Sequence, residues 1–361
     1  MPMPWVRASG IGARVTVEAA VSPGDALEPA RFQILALDGG GAKALFTAQI
    51  LARLEQDLGV SIADSFDLIA GTSAGGIVAL ALGAGLSPRE VVDHYGQLVA
   101  SVFPRSRRRL WRAPRRLTAP TYDAAALWAA LEGVFGDRVL GDSTKRLVVP
   151  SWDVQKGGVH IFKTPHHSRL TRDWRIRMVD VAMATSAAPT YFPAAKVDGH
   201  RLIDGGVWAN NPSVVAITEA VSMLGVSLDA IRVLNVGTID QISNHPKRLD
   251  TGGLANWAIP AVGLVLTASS RGAQGIAEHL VGKDKYSRFD TRVPGGLYAL
   301  DDADPDDLAG LAASASRDLS PIFTERFAGH RSAPYVPLAG GTKPAASVSV
   351  SPPPEDTHAA R

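Results

Sequence analysis

The chain has no cysteine among its 361 residues. Disulfides, thiolate metal centres and cysteine nucleophiles are therefore excluded, and the redox compartment stays open. Net charge is scarce as well. The 37 Lys and Arg against 35 Asp and Glu leave +2, too little to draw a nucleic acid or a membrane by bulk electrostatics. Uninterrupted apolar runs of spanning length are also wanting. Residues 69–87 carry no charge but hold five glycines. Residues 251–270 are uncharged over 20 positions but contain Asn256, Pro260 and three glycines. This second stretch reads as a buried or interface helix rather than a span, with core burial favoured over dimer or membrane contact. The opening MPMPWVRASGIGARV has two prolines and no sustained apolar core, so no secretory signal is expected and the default is a cytoplasmic protein.

What is present is ample for a core: 46% apolar and 20% charged residues. Residues 1–30 read as a loose lead-in, 31–337 as one domain, and 338–361, rich in Ala, Gly, Ser and Pro, as a disordered tail. Within the domain, apolar runs of strand length at 32–37, 66–70, 146–150, 159–162, 201–203 and 231–236 alternate with helix-like segments. Ser87-Pro-Arg-Glu90 supplies a capping box at the start of one of them. Alternation of this kind predicts an α/β fold with a mostly parallel sheet covered on both faces.

Three strand ends carry chemistry. FDLIAGTSAGGIVAL (66–80) breaks an apolar run at Gly71-Thr-Ser-Ala-Gly75 and resumes it with helical character. Glycines two positions either side of Ser73 fit a nucleophile elbow, where a side chain would collide with the neighbouring strand or helix. The bend also puts Ser73 at a helix N-terminus, where partial positive charge favours a developing oxyanion. A plain turn fits the five residues alone. Asp38-Gly-Gly-Gly-Ala-Lys43 lacks the spacing of a phosphate loop. It suits an oxyanion cradle: Gly39, Gly40 and Gly41 can turn amides inward, and Lys43 can add positive charge. Each such donor is worth roughly 2.7–4 kcal/mol of transition-state stabilisation. Asp204, followed by two glycines, ends a third run. Of the nine histidines, His160, His166 and His167 cluster after a strand, and none stands where a Ser-His-Asp order would put it.

Together, DGGGAK (38–43), GTSAG (71–75), SAAPTYFP (186–193) and DGG (204–206) resemble, in order and over about 200 residues, the patatin-like phospholipases. The resemblance implies a three-layer α/β domain and a Ser–Asp dyad. Ser73 becomes the nucleophile, Asp204 the base, and the backbone of Gly39, Gly40 and Gly41 the oxyanion hole, with no metal or organic cofactor. It implies acyl transfer from membrane phospholipid through an acyl-serine, by a peripheral enzyme working at the inner membrane surface without a transmembrane span. One departure stands out. The family's usual x-Arg-Gly after the third glycine is Ala42-Lys43-Ala44 here, which keeps a charge but loses the planar fork.

Two longer stretches, 32–51 and 143–167, are similar to a branch of bacterial patatin-like proteins that act as cyclic-dinucleotide-activated effectors of antiphage defence. That implies a cyclic-dinucleotide activator, with the arginines of 105–116 and Lys145-Arg146 as candidate anion ligands. The run 105–116 holds seven arginines in twelve residues around Leu110 and Trp111. It suits a solvated loop, an anionic lipid surface or a nucleotide regulator alike. An unregulated housekeeping lipase or esterase, a catalytically idle binding or storage protein, and homo-oligomerisation all stay open.

Overall fold

The computed structural model describes residues 31–103, 119–242, 250–253, 257, 260–294, 301 and 304–339. A central sheet holds strands β1 (Phe32–Leu37), β2 (Leu68–Gly71), β3 (Arg146–Asp153), β4 (Gly158–Lys163), β5 (Ala195–Val197), β6 (His200–Asp204), β7 (Ile231–Val236) and β9 (Tyr286–Phe289). Their order is β5-β6-β3-β2-β1-β7-β9, with β4 pairing β3. A separate parallel pair joins β8 (Asp240–Ile242) to β10 (Arg292–Pro294).

The strands of the middle are buried on both sides, so they read as continuous apolar runs. Leu35, Leu37, Ile69, Leu147 and Leu234 face one core with helices α1 (Ala44–Leu58), α2 (Ala74–Gly83), α3 (Pro88–Val102), α4 (Ala124–Phe135), α5 (Met178–Thr185) and α9 (Pro305–Arg326). Ile34, Ala36, Leu68, Val148 and Val233 face the other core. That core is closed by α7 (Ser213–Ser222) and α8 (Pro260–Val281), with the short α6 (Gly206–Ala209) beside α8. Residues of opposite parity along each strand thus feed two cores, giving three layers. The capping box of α3 forms as expected: Glu90 N–H donates to Ser87 Oγ at 3.3 Å and Ser87 N–H to Glu90 Oε2 at 2.8 Å.

The sheet is less uniformly parallel than the alternation of elements predicts. β1, β2, β3, β7 and β9 run parallel, but β4 and β6 each run antiparallel to β3, and β5 antiparallel to β6. β7 is not the last strand of the sheet either. The four-residue β9 escapes the pattern because it is short and carries Arg288. The run 251–270 does not behave as a core helix: the described helix starts at Pro260, and Leu264 and Val265 are exposed. No helix of the described residues is long and apolar enough to cross a membrane.

Candidate active site

β2 ends at Gly71, and α2 begins one residue after Ser73. Ser73 bridges the two with φ 55° and ψ −125°, a left-handed backbone that side chains rarely adopt. The flanking glycines permit it through close approach. A Cβ on Gly71 would collide with the Gly75 carbonyl, and one on Gly75 with the carbonyls of Leu37 and Asp38. Such strain persists only where surrounding structure holds it. Here Thr185, the last residue of α5, accepts from the Ser73 amide at 3.0 Å while its own hydroxyl donates to Pro150 O at 2.6 Å.

Asp204 reaches the serine by an unexpected path. In an all-parallel sheet its strand would end at the same edge as β1 and β2. Instead β3 overshoots its pairing with β2, which ends at Val148, and β6 folds back along the overshoot with Asp204 opposite Ser151. That brings Asp204 level with the elbow, and Ser73 Oγ donates to Asp204 Oδ2 at 2.6 Å. The other carboxylate oxygen accepts from Gly206 N–H at 2.7 Å. Burial pushes the Asp204 carboxyl up to about 6, and the bonds from Ser73 and Gly206 pull it back only in part. A carboxylate with such a pKa can accept a proton near neutral pH.

The three glycines do not share one role. The Gly39 amide is spent on Asn210 O at 3.0 Å, so the expectation that all three amides serve as free donors fails at Gly39. The amides of Gly40 and Gly41 have no protein acceptor among the described residues. Gly41 adopts φ 58°, which a glycine reaches without penalty. Gly39 and Gly40 are required by space instead, since a Cβ would strike the Asn210 and Thr238 side chains respectively. Lys43 does not line the serine's cavity. Its charge interacts with Asp290, and burial lowers its pKa, so its assignment to the anion site is not supported by position.

All three glycines, Ala74 and Asp204 border a cavity of about 240 Å³. Its remaining wall is almost wholly apolar, with Ile77, Leu98, Phe103, Leu127, Phe192 and Leu266 prominent. Ser73 itself is not among the lining residues; the cavity meets the pair through Asp204 and Ala74. An apolar pocket there can hold a hydrocarbon chain with its ester carbonyl beside the serine.

The three clustered histidines stand elsewhere. His166 bonds Glu219 at 2.9 Å, His160 packs its ring against His200, and His167 accepts from the Arg169 amide. None lines the cavity. Lys145 and Arg146 are already engaged. Lys145 pairs with Asp64 at 2.7 Å, and Arg146 donates to Asp67 O and lies over the Tyr335 ring. Neither is a free anion ligand. The arginine run 105–116 lies outside the described residues.

The glycine loop also has supports that no motif announces. Asp38 Oδ1 accepts from Asn235 Nδ2 at 2.7 Å, and Asp38 Oδ2 accepts from Ser270 Oγ at 2.8 Å and pairs with Arg288 at 2.9 Å. Asn210 Nδ2 donates back to Gly39 O at 3.4 Å.

Comparison with known proteins gives the same picture. A family model described as "Patatin-like phospholipase" matches residues 35–217. A cGAMP-activated phospholipase of Pseudomonas aeruginosa is 36% identical over 271 residues, covering 73% of this chain and 79% of the relative. One from Vibrio cholerae is 33% identical over 329 residues, covering 81% and 92%. One from Escherichia coli is 37% identical over 230 residues, covering 60% of this chain and 64% of that relative.

Proposed function

The chain belongs to the patatin-like phospholipase family, and from that premise we propose that it is a serine acyl hydrolase of membrane phospholipids. In this proposal Ser73 is the nucleophile and Asp204 its base. The observation that carries it is the 2.6 Å bond from Ser73 Oγ to Asp204 Oδ2, with Asp204 lining an apolar cavity.

Ser73 Oγ attacks the ester carbonyl carbon as its proton passes to Asp204 Oδ2. The carbonyl electron pair moves to oxygen, where the Gly40 and Gly41 amides receive the negative charge. The tetrahedral intermediate collapses, the ester C–O bond breaks, and the leaving alkoxide takes the proton from Asp204. Water then attacks the acyl-serine, Asp204 accepts its proton and returns it to Ser73 Oγ, and a fatty acid leaves. No proton carrier beyond Asp204 is required, and among the described residues no histidine lines the cavity.

The names of the relatives support a second element, activation by cGAMP. Fatty-acid release from phospholipid vesicles, with and without cGAMP, tests both elements. Release that requires cGAMP and vanishes in Ser73→Ala is the expected result. Equal release without cGAMP would leave an unregulated lipase. Release that is absent from wild type, or that survives Ser73→Ala, would overturn the catalytic proposal.

A further inference from the structure

Helix α8 is turned inside out. At 100° per residue, its buried line runs through Ser270, Ala277 and Val281. Two hydroxyls, Ser270 on that line and Ser269 about 100° round from it, tie the helix to the loops of the site. Ser270 Oγ donates to Asp38, and Ser269 Oγ accepts from the Asn210 amide at 3.2 Å while donating to Trp208 O at 3.0 Å. The outer side carries the large aliphatics: Leu264 is 36% exposed, Val265 48%, Ile276 55% and Leu280 39%. On one flank Gln274 bonds Glu278 at 2.8 Å and Arg271 bonds Gln274 at 3.5 Å, while His279 is exposed on the outer side with its Nδ1 2.7 Å from Gly275 O. An ordinary surface helix does the reverse and buries its apolar stripe.

The stripe has a direction. Val265 and Ile276, the two most exposed members, are eleven residues apart. They therefore lie almost on one line along the helix, about 16 Å from each other. Val265 also lines the serine's cavity, so it stands at the cavity's rim. Leu266, beside it, lines the same cavity from further in. The exposed aliphatic stripe is thus continuous with the apolar wall that leads to Ser73. The helix cannot roll to hide it, because rolling would pull Ser269 and Ser270 from the loops that hold the site.

We propose that the outer face of α8, from Leu264 to Leu280, docks on the acyl-chain region of a phospholipid bilayer and delivers lipid to the cavity at Val265. The helix lies in the interface and does not cross it, consistent with its charged flank and insufficient apolar length. A second copy of the chain seated on the same stripe would cover the cavity's rim, whereas a bilayer supplies the substrate there. This inference rests on the acyl hydrolase proposal above.

The test uses positions outside the cavity. The triple variant Leu264→Ser, Ile276→Ser, Leu280→Ser is compared with wild type, cGAMP present, on phosphatidylglycerol–phosphatidylethanolamine vesicles and on a short soluble ester. Vesicle binding and vesicle hydrolysis should fall about tenfold or more, with soluble-ester turnover unchanged. Unchanged vesicle hydrolysis overturns the inference. So does a wild-type dimer that the variant converts to monomer with no loss of vesicle binding. Wild type inactive on both substrates would instead sink the hydrolase proposal. Because the chain has no cysteine, Ile276→Cys offers a unique label site that needs no altered core. An environment-sensitive dye there should shift to the blue on adding vesicles, while the same dye at Val159→Cys, 56% exposed on β4, should not. No shift at Ile276, or equal shifts at both positions, overturns the inference independently of the triple variant.

Discussion

Arg288 on β9 lies 2.9 Å from Asp38 Oδ2, and both side chains are largely withdrawn from water. The loop that carries Gly40 and Gly41 is therefore anchored by an ion pair from a strand far away in sequence. Arg288 also reaches Asp290 at 2.7 Å, so one guanidinium serves two buried carboxylates. Burial raises the pKa of Asp290, which is the sign expected of a carboxylate short of solvent.

Removing one partner of such a pair leaves an uncompensated buried charge. Arg288→Met should therefore lose about 3–5 kcal/mol of stability. Arg288→Met combined with Asp38→Asn should recover part of that loss, because one of the two stranded charges is gone while that of Asp290 remains. Chemical denaturation of the three proteins at neutral pH checks both statements. Additive losses in the double variant would show that the pair is not coupled.

The Asp204 pKa sets a pH dependence with a definite sign. Its folded value, about 6, lies above the ordinary 3.8 because burial disfavours the ionised form. Below 3.8 the carboxyl is neutral in both folded and unfolded chains and costs nothing. As pH rises from 3.8 through about 6 the folded state loses stability, and the cost is complete above that. Asp204→Asn abolishes the titration. It should be more stable than wild type by up to about 3 kcal/mol at pH 8 and no more stable at pH 3.5. Its esterase activity should fall by roughly 10²–10⁴. In wild type, kcat/KM on a soluble ester should rise with pH through a midpoint near 6. Denaturation curves and rate profiles across this range test both parts. A wild-type rate that is flat from pH 5 to 8 would remove Asp204 as the base.

How much of this could be read from the sequence follows from which constraints are local. The candidate pair Ser73 and Asp204 could be picked out because sterics force glycines beside them. The Gly71 and Gly75 collisions seen in the structure are the ones the spacing implied. Strand direction was not legible. Alternation of elements says nothing about whether β6 returns antiparallel, and the antiparallel return is what sets Asp204 beside Ser73. The loss of Gly39 as a donor was also hidden, since it depends on a carbonyl at Asn210. The partners of Asp38, namely Asn235, Ser270 and Arg288, belong to no motif and meet only in three dimensions. The inverted face of α8 was invisible for a related reason. A run that is apolar on nearly every side gives no phase from which to infer burial.

The cavity wall yields a prediction about chain length. Leu98 on α3 is buried and lines the cavity with Phe103, Leu127 and Phe192. The volume of about 240 Å³ leaves room for an acyl chain beyond the carbonyl that meets Ser73. Leu98→Trp puts an indole into that room without touching Ser73, Asp204 or the glycine loop. Since each methylene held in an apolar pocket is worth about 1–3 kcal/mol, losing even one contact should cost a long-chain substrate about tenfold or more in kcat/KM. A butyrate ester, too short to fill the cavity, should be cleaved at close to the wild-type rate. The measurement is the ratio of kcat/KM for palmitate and butyrate esters of one chromogenic alcohol, taken for wild type and Leu98→Trp. A ratio that does not change would mean that the acyl chain lies outside this cavity. Equal losses on both esters would instead indicate that the indole has displaced the catalytic residues. Only a selective loss on palmitate identifies the cavity as the place where the fatty chain is held while Ser73 attacks its carbonyl.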